Sequence, residues 1–108
     1  MSTYFLNPDH TVRECTLEEW SSQHEDMRLN HTITLCFTEL NNKAISTVWI
    51  GIDLNFLGNK PLLFETMVFQ GGTGGDIYTD RYSTWDEALV GHQKAIEWVK
   101  AGCSEDEL

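Results

Sequence analysis

Cations are the scarcest resource in this sequence: 7 Lys and Arg stand against 17 Asp and Glu in 108 residues, a formal net charge of -10. A chain so charged repels a phosphate backbone, which excludes a nucleic-acid grip built on counterion release and disfavours anionic membrane surfaces. Long apolar runs are missing as well, and none approaches the roughly 20 residues that span a bilayer. The opening Met1-Ser2-Thr3-Tyr4-Phe5-Leu6 has neither a basic region nor an apolar core, so no signal peptide is expected, and the expected compartment is a cytosol. Cysteine is limited to Cys15, Cys36 and Cys103, odd in number and far apart, with no C-x-x-C pair. Free thiols are expected, not bridges or a zinc site. The four histidines, His10, His24, His31 and His92, show no i,i+4 or H-x-H pairing, so no metal centre is expected, and no cofactor motif is found.

What is present suits one globular domain, expected over residues 1–103 with an acidic tail at 104–108. The apolar fraction is 41% and the aromatic fraction 11%, enough for a core without metal or disulfide staples. Tyr4 to Leu6 reads as a short strand, Asn7-Pro8-Asp9-His10 as a turn, and Thr11 to Arg13 as the returning strand. Thr16 with Glu19 forms a capping box that opens a helix ending near Asn30. Leu17, Trp20, His24 and Met27 make its apolar face, and Glu18, Glu25 and Arg28 its polar one.

From His31 to Leu40 the period changes to two. Ile33, Leu35 and Phe37 are expected on one side, and Thr32, Thr34, Cys36 and Thr38 on the other. Asn41-Asn42 turns the chain into a second strand, Ala44 to Ile52, apolar on both faces and therefore expected to be central and covered on both sides. A connection over Asp53 to Pro61 leads to a strand from Leu62 to Phe69. The glycine-rich loop Gly71–Gly75 follows, then a short strand from Ile77 to Tyr82. Thr84 and Glu87 form a second capping box, and Ala88, Leu89, His92, Ala95, Ile96 and Val99 stripe the helix that ends at Gly102. Strands joined by short turns and flanked by helices give an α+β fold: an antiparallel sheet of three or four strands, two helices and an N-terminal hairpin.

The stretches Ile45-Ser46-Thr47-Val48-Trp49-Ile50-Gly51-Ile52-Asp53, Phe64-Glu65-Thr66-Met67-Val68-Phe69 and Asp80-Arg81-Tyr82-Ser83-Thr84-Trp85-Asp86-Glu87-Ala88-Leu89-Val90-Gly91-His92 resemble a family of small bacteriophage and prophage proteins. The resemblance covers the C-terminal two-thirds of the chain, with a looser match in the N-terminal hairpin. Members often carry His where this sequence has Leu54. The resemblance implies a setting, the host bacterial cytosol during infection, and brings no chemistry with it.

The residues themselves offer a binding site before a catalytic one. The Gly71–Gly75 loop has no following Lys and does not run straight into a helix, so it lacks the form of a phosphate-binding loop. Glu65 falls in the middle of an apolar strand and needs a partner; Arg81 is the natural one. Ser83 and Thr84 read as cap residues, not nucleophiles. The expected ligand-binding set is Glu65, Gly74, Arg81, Tyr82, Trp85 and His92, converging on one side of the sheet under the last helix, with no catalytic residue assigned. Two partners fit: a small anionic, nucleotide-like ligand sequestered there, or a basic host protein met by the acidic surface. A hydrolase using Glu65, Asp53 or His92 as general base, and a structural role in a virion, are the alternatives. Small size and many aromatics, including Trp85 and Trp98 off the centre of the last helix's stripe, also point to a homo-oligomer.

Overall fold

The structure, a computed structural model, describes residues 2–53, 58, 60–71 and 75–103. Met1, most of the connection after Asp53, Gly72 to Gly74 and the acidic tail lie outside the described residues. The fold is α+β. A three-stranded antiparallel sheet joins β1 (Ser2–Leu6), β2 (Val12–Cys15) and β5 (Ile52–Asp53) in the order β2-β1-β5. A four-stranded antiparallel sheet joins β3 (Thr34–Leu40), β4 (Lys43–Trp49), β6 (Phe64–Gln70) and β7 (Asp76–Tyr82) in the order β3-β4-β6-β7. The helices are α1 (Leu17–Leu29) and α2 (Trp85–Lys100).

Local chemistry sets the boundaries. Thr16 caps α1 through the Glu19 N–H at 3.1 Å, while the Glu19 carboxylate accepts the Thr16 N–H at 3.1 Å. Thr84 caps α2 by accepting the Glu87 N–H at 3.1 Å, but the Glu87 carboxylate accepts the Thr84 hydroxyl at 3.0 Å and not its backbone N–H, so the expected second capping box is only half formed. Both helices close in the same way. The Gly102 N–H reaches Val99 O and the Cys103 N–H reaches Trp98 O, with Gly102 at φ 89°. At the end of α1, the His31 N–H reaches Arg28 O and the Thr32 N–H reaches Met27 O, with His31 at φ 59°. These are paired left-handed terminations, one with the residue that suits them and one without. The Asn41–Asn42 turn joining β3 to β4 has φ 52° and 63°, the doubly left-handed loop whose twist matches a tight hairpin.

The expected single strand from Ala44 to Ile52 is two. Gly51 at φ 74° turns the chain between them, so Ile52 leaves the four-stranded sheet and pairs with Thr3 in the smaller one. The Trp20 ring lies against Gly51, where a side chain would collide with it.

α2 covers one side of the four-stranded sheet. From the strands, Ile45 and Val68 pack with Ala95 and Val99 at one end. Trp49, Leu63 and Phe64 pack with Ala88 at the other, and there Tyr4, Leu6 and Val12 of the small sheet join them. Each fully buried large side chain contributes roughly 1.5–3 kcal/mol. The opposite side of the sheet has no covering element among the described residues, which corrects the expectation that β4 is covered on both faces: Ala44, Ser46 and Val48 are only half-buried.

A second correction concerns β3. A bulge between Thr34 and Cys36 adds Leu35 to the strand and inverts the alternation beyond it. Leu35 packs into the core, but Phe37 points to the open side at 58% exposure, while Cys36 and Thr38 pair with Thr47 and Ile45 on the helix side. In α1, the expected apolar face is shallow. No residue of α1 is buried, and Leu17 is 64% exposed.

The two helix ends should respond oppositely to substitution. Gly102→Ala, which forces a Cβ into left-handed backbone, is expected to cost about 1 kcal/mol, and His31→Gly to gain a few tenths. Denaturant midpoints at constant m-value measure both.

Candidate functional site

Successive residues of a strand point to opposite sides of a sheet, and this sorts the six expected site residues before any distance is read. Glu65 and Arg81 are register partners on β6 and β7. Their ion pair, Arg81 Nε to Glu65 Oε2 at 2.8 Å, lies on the open side, with the side chains 40% and 14% exposed. Tyr82 and His92 lie on the other side, between sheet and helix. Trp85, at the start of α2, stacks on His10 of the β1–β2 turn at 3.7 Å between ring centroids and 8° between planes, with its edge contact to Phe64 at 6.2 Å. Trp85 thus holds the N-terminal hairpin against α2. Gly74 lies outside the described residues. The structure brings Glu65 to Arg81, as expected, but separates that pair from Tyr82 and His92 by the thickness of the sheet.

On the helix side, the sequence places threonine where a strand would ordinarily carry an aliphatic residue. Thr47 and Thr66 are fully buried neighbours on β4 and β6, and their hydroxyls are 2.6 Å apart. His92 descends from α2 between them and the β3 edge. Its Nδ1 lies 2.7 Å from Thr47 Oγ1 and its Nε2 2.9 Å from Thr38 Oγ1. The ring is 5% exposed. Burial pushes its pKa below the ordinary 6.5, so the imidazole is neutral at pH 7, with one nitrogen donating and the other accepting. Every polar atom of this row is satisfied within it. It is a hydrogen-bonded core histidine, and nothing reaches it from solvent to be deprotonated.

Tyr82 continues the row toward β7. Its phenol packs on Gly91 of α2, where a Cβ would overlap the ring. The hydroxyl is buried without a hydrogen bond of good geometry among the described residues. Burial pushes its pKa up to about 12, against a weaker downward pull from Thr66. The hollow beside it, about 370 Å³, is lined by Asp80, Asp86 and Glu87 with Lys94 as the single cation. That balance repels an anion. Trp98, at the other end of α2, is half-buried and tilted against Tyr78 at 4.9 Å, not a free platform.

The expected general bases are each occupied separately. Glu65 holds Arg81, His92 holds two threonines, and Asp53 accepts the Leu62 N–H at 3.3 Å. Among the described residues no group of three or more His, Cys, Asp and Glu is placed to hold a metal ion.

Another hollow was not foreseen from sequence. It runs along α1, about 530 Å³, over Phe5 and Met27 as apolar floor, with Glu18, Glu19 and Asp26 on its walls and no Lys or Arg in its lining. Trp20 and Gln23 set the helix at this position. The Trp20 indole N–H donates to Ile50 O at 3.1 Å. The Gln23 side-chain amide accepts the Leu6 N–H at 2.9 Å and donates to Leu6 O at 2.8 Å, in the manner of a neighbouring strand. Arg13 approaches from the rim, 3.4 Å from Glu19 and over the Phe5 ring at 4.3 Å. The signal available in the sequence was the acid content of α1 beside exposed Leu17 and Leu29; its missing half was the position of Phe5, which only the fold supplies.

Comparison with protein-family models, with curated proteins and with solved structures finds no match to this chain.

Two substitutions report on the buried row. Gly91→Ala, which drives a methyl group into Tyr82, is expected to destabilise by about 1–3 kcal/mol in chemical unfolding. Because the folded-state pKa of His92 is depressed, its contribution is complete above the unfolded value near 6.5 and is lost as pH falls below it, where the unfolded chain takes up a proton that the folded one refuses. The melting temperature of His92→Gln should therefore fall less steeply than that of the wild type between pH 7 and pH 5. Parallel curves for the two proteins would contradict this.

Proposed function

We propose that this chain acts by binding, not by turnover, and that the groove along α1 receives a basic amphipathic segment of a partner protein. In the setting implied by the phage resemblance, this describes a small acidic antagonist that covers a basic surface of a host protein. The observation that carries the reading is the composition of the groove: an apolar floor of Phe5 and Met27 beneath Glu18, Glu19 and Asp26, with no Lys or Arg in the lining and Arg13, paired with Glu19 and over Phe5, at the rim. An apolar strip flanked by carboxylates complements a segment that alternates apolar residues with Lys or Arg. The remaining net charge adds long-range attraction, which raises the association rate at low salt.

Sequestration of a nucleotide-like anion has weaker support. Arg81 is already neutralised by Glu65, and the hollow nearest Tyr82 is walled by three carboxylates. Hydrolysis has less, since its three proposed bases stand in separate places with other partners.

Fluorescence anisotropy with a labelled amphipathic Lys/Leu peptide tests the reading, with an acidic peptide of the same pattern as control. The basic peptide is expected to bind and the acidic one not to. Glu18→Lys with Asp26→Lys should weaken binding by about tenfold or more, and salt should weaken it in the wild type. Retention of a nucleotide after heat denaturation, abolished by Arg81→Ala, with no peptide binding, would replace this reading with the sequestering one.

A further inference from the structure

The outer side of β3 differs from those of the edge strands β7 and β2. β7, the opposite edge of the same sheet, carries Asp76, Asp80 and Arg81, and β2 carries Arg13 and Glu14. Such charges are the usual means of keeping sheet edges from pairing. β3 reads Thr-Leu-Cys-Phe-Thr-Glu-Leu, with Glu39 as its single charge. Among the described residues no strand pairs with its outer side.

The backbone groups on that side can be assigned. Leu40 and Lys43 are register partners closing a two-residue turn, and the closing pair of such a hairpin exchanges both of its backbone hydrogen bonds. Leu40 and Thr38 therefore spend their N–H and C=O groups on β4, and Glu39 and Phe37 turn theirs outward. Phe37 is also the strand's most exposed large apolar side chain, at 58%. A free donor and acceptor thus coincide with an uncovered aromatic ring on one residue.

We propose that β3 pairs antiparallel with β3 of a second copy, about a two-fold axis through Phe37 normal to the sheet, joining two four-stranded sheets into one. A two-fold in this direction keeps the helix-covered sides together and the open sides together, and from Cys36 to Thr38 it sets each residue against one of matching orientation: Phe37 against Phe37 on the open side and Cys36 against Thr38 on the helix side. The two outward-facing backbone pairs of Phe37 bond each other, and the rings meet on the open side as a cross-strand aromatic pair. The single charge, Glu39, stands opposite Leu35, whose side chain lies in the core on the helix side, so Glu39 does not meet its own copy. Self-complementarity is what selects a second copy over a foreign strand here: from Cys36 to Thr38, beyond the bulge, the edge is matched to itself in polarity and side-chain orientation, and it avoids a like-charge contact.

Two chains of net charge -10 repel each other, so this association strengthens with salt, opposite in sign to the peptide binding proposed above. Sedimentation equilibrium of the full chain over a concentration series, at low and high NaCl, is the test. The expected mass climbs from 12.4 kDa toward twice that value, and at lower protein concentration when salt is high. Phe37→Lys, which sets two ammonium groups face to face, is expected to stay monomeric with an unchanged circular dichroism spectrum and melting temperature. Thr79→Lys, on the open side of the sheet but away from the β3 edge, is expected to dimerise like the wild type. A monomer under every condition overturns the proposal. So does a Phe37→Lys dimer as tight as the wild type, or loss of the dimer in Thr79→Lys, which would place the interface on the open face of the sheet and not on its edge.

Discussion

α2 lies across one side of the four-stranded sheet, and the side chains it covers decide where the rest of the molecule can place its polarity. Except at the β3 bulge, only alternate residues of each strand are covered, so the sheet has a dry side and a wet side fixed residue by residue. Ile45, Trp49, Phe64 and Val68 belong to the first; Ser46, Met67, Glu65 and Arg81 belong to the second. A ligand pocket drawing on both sets cannot exist without a gap in the sheet. This single constraint separates Glu65 and Arg81 from Tyr82 and His92, though they adjoin in the sequence or in the register.

Within the dry side, a polar seam runs between two apolar clusters. Thr38, His92, Thr47 and Thr66 satisfy one another at 2.6–2.9 Å. The Ile45–Val68–Ala95–Val99 cluster lies to one side and the Trp49–Leu63–Phe64–Ala88 cluster to the other. A seam of this kind adds little net free energy over an aliphatic one, because each hydrogen bond replaces one to water. It does restrict the helix to one axial position, since sliding α2 by a turn would leave buried hydroxyls and imidazole nitrogens unmatched. Tyr82 against Gly91 adds a steric stop next to it.

Much of this was legible in the residues. Helix starts were, because Thr16 with Glu19 and Thr84 with Glu87 are local devices whose partners lie within four residues. The Asn41–Asn42 hairpin and the Glu65–Arg81 pair followed from turn chemistry and from the cost of a lone carboxylate in a strand. The bulge at Leu35 was not legible: nothing in Thr-Leu-Cys-Phe differs from an ordinary alternating strand, and one inserted residue exchanges the sides of everything after it. Nor was the shallow seating of α1, whose apolar positions have the right spacing but face a small sheet with little surface to offer. The convergence expected of the site residues failed because residue proximity along a strand says nothing about side. The α1 groove escaped notice because its floor and walls come from segments that the fold, not the sequence, makes neighbours.

The doubled bond between Gln23 and Leu6 has a consequence for α1 as a whole. A helix with no buried residue is held to the body by a few directed contacts: this amide pair, the Trp20 indole on Ile50, and the half-buried Met27. Detaching it exposes little apolar surface, so the free energy that keeps it seated is small compared with that of the whole fold. Anything that bridges α1 and Phe5 across the groove must add its own binding energy to that seating. Any ligand of the groove would then raise the rigidity of this helix together with its own occupancy.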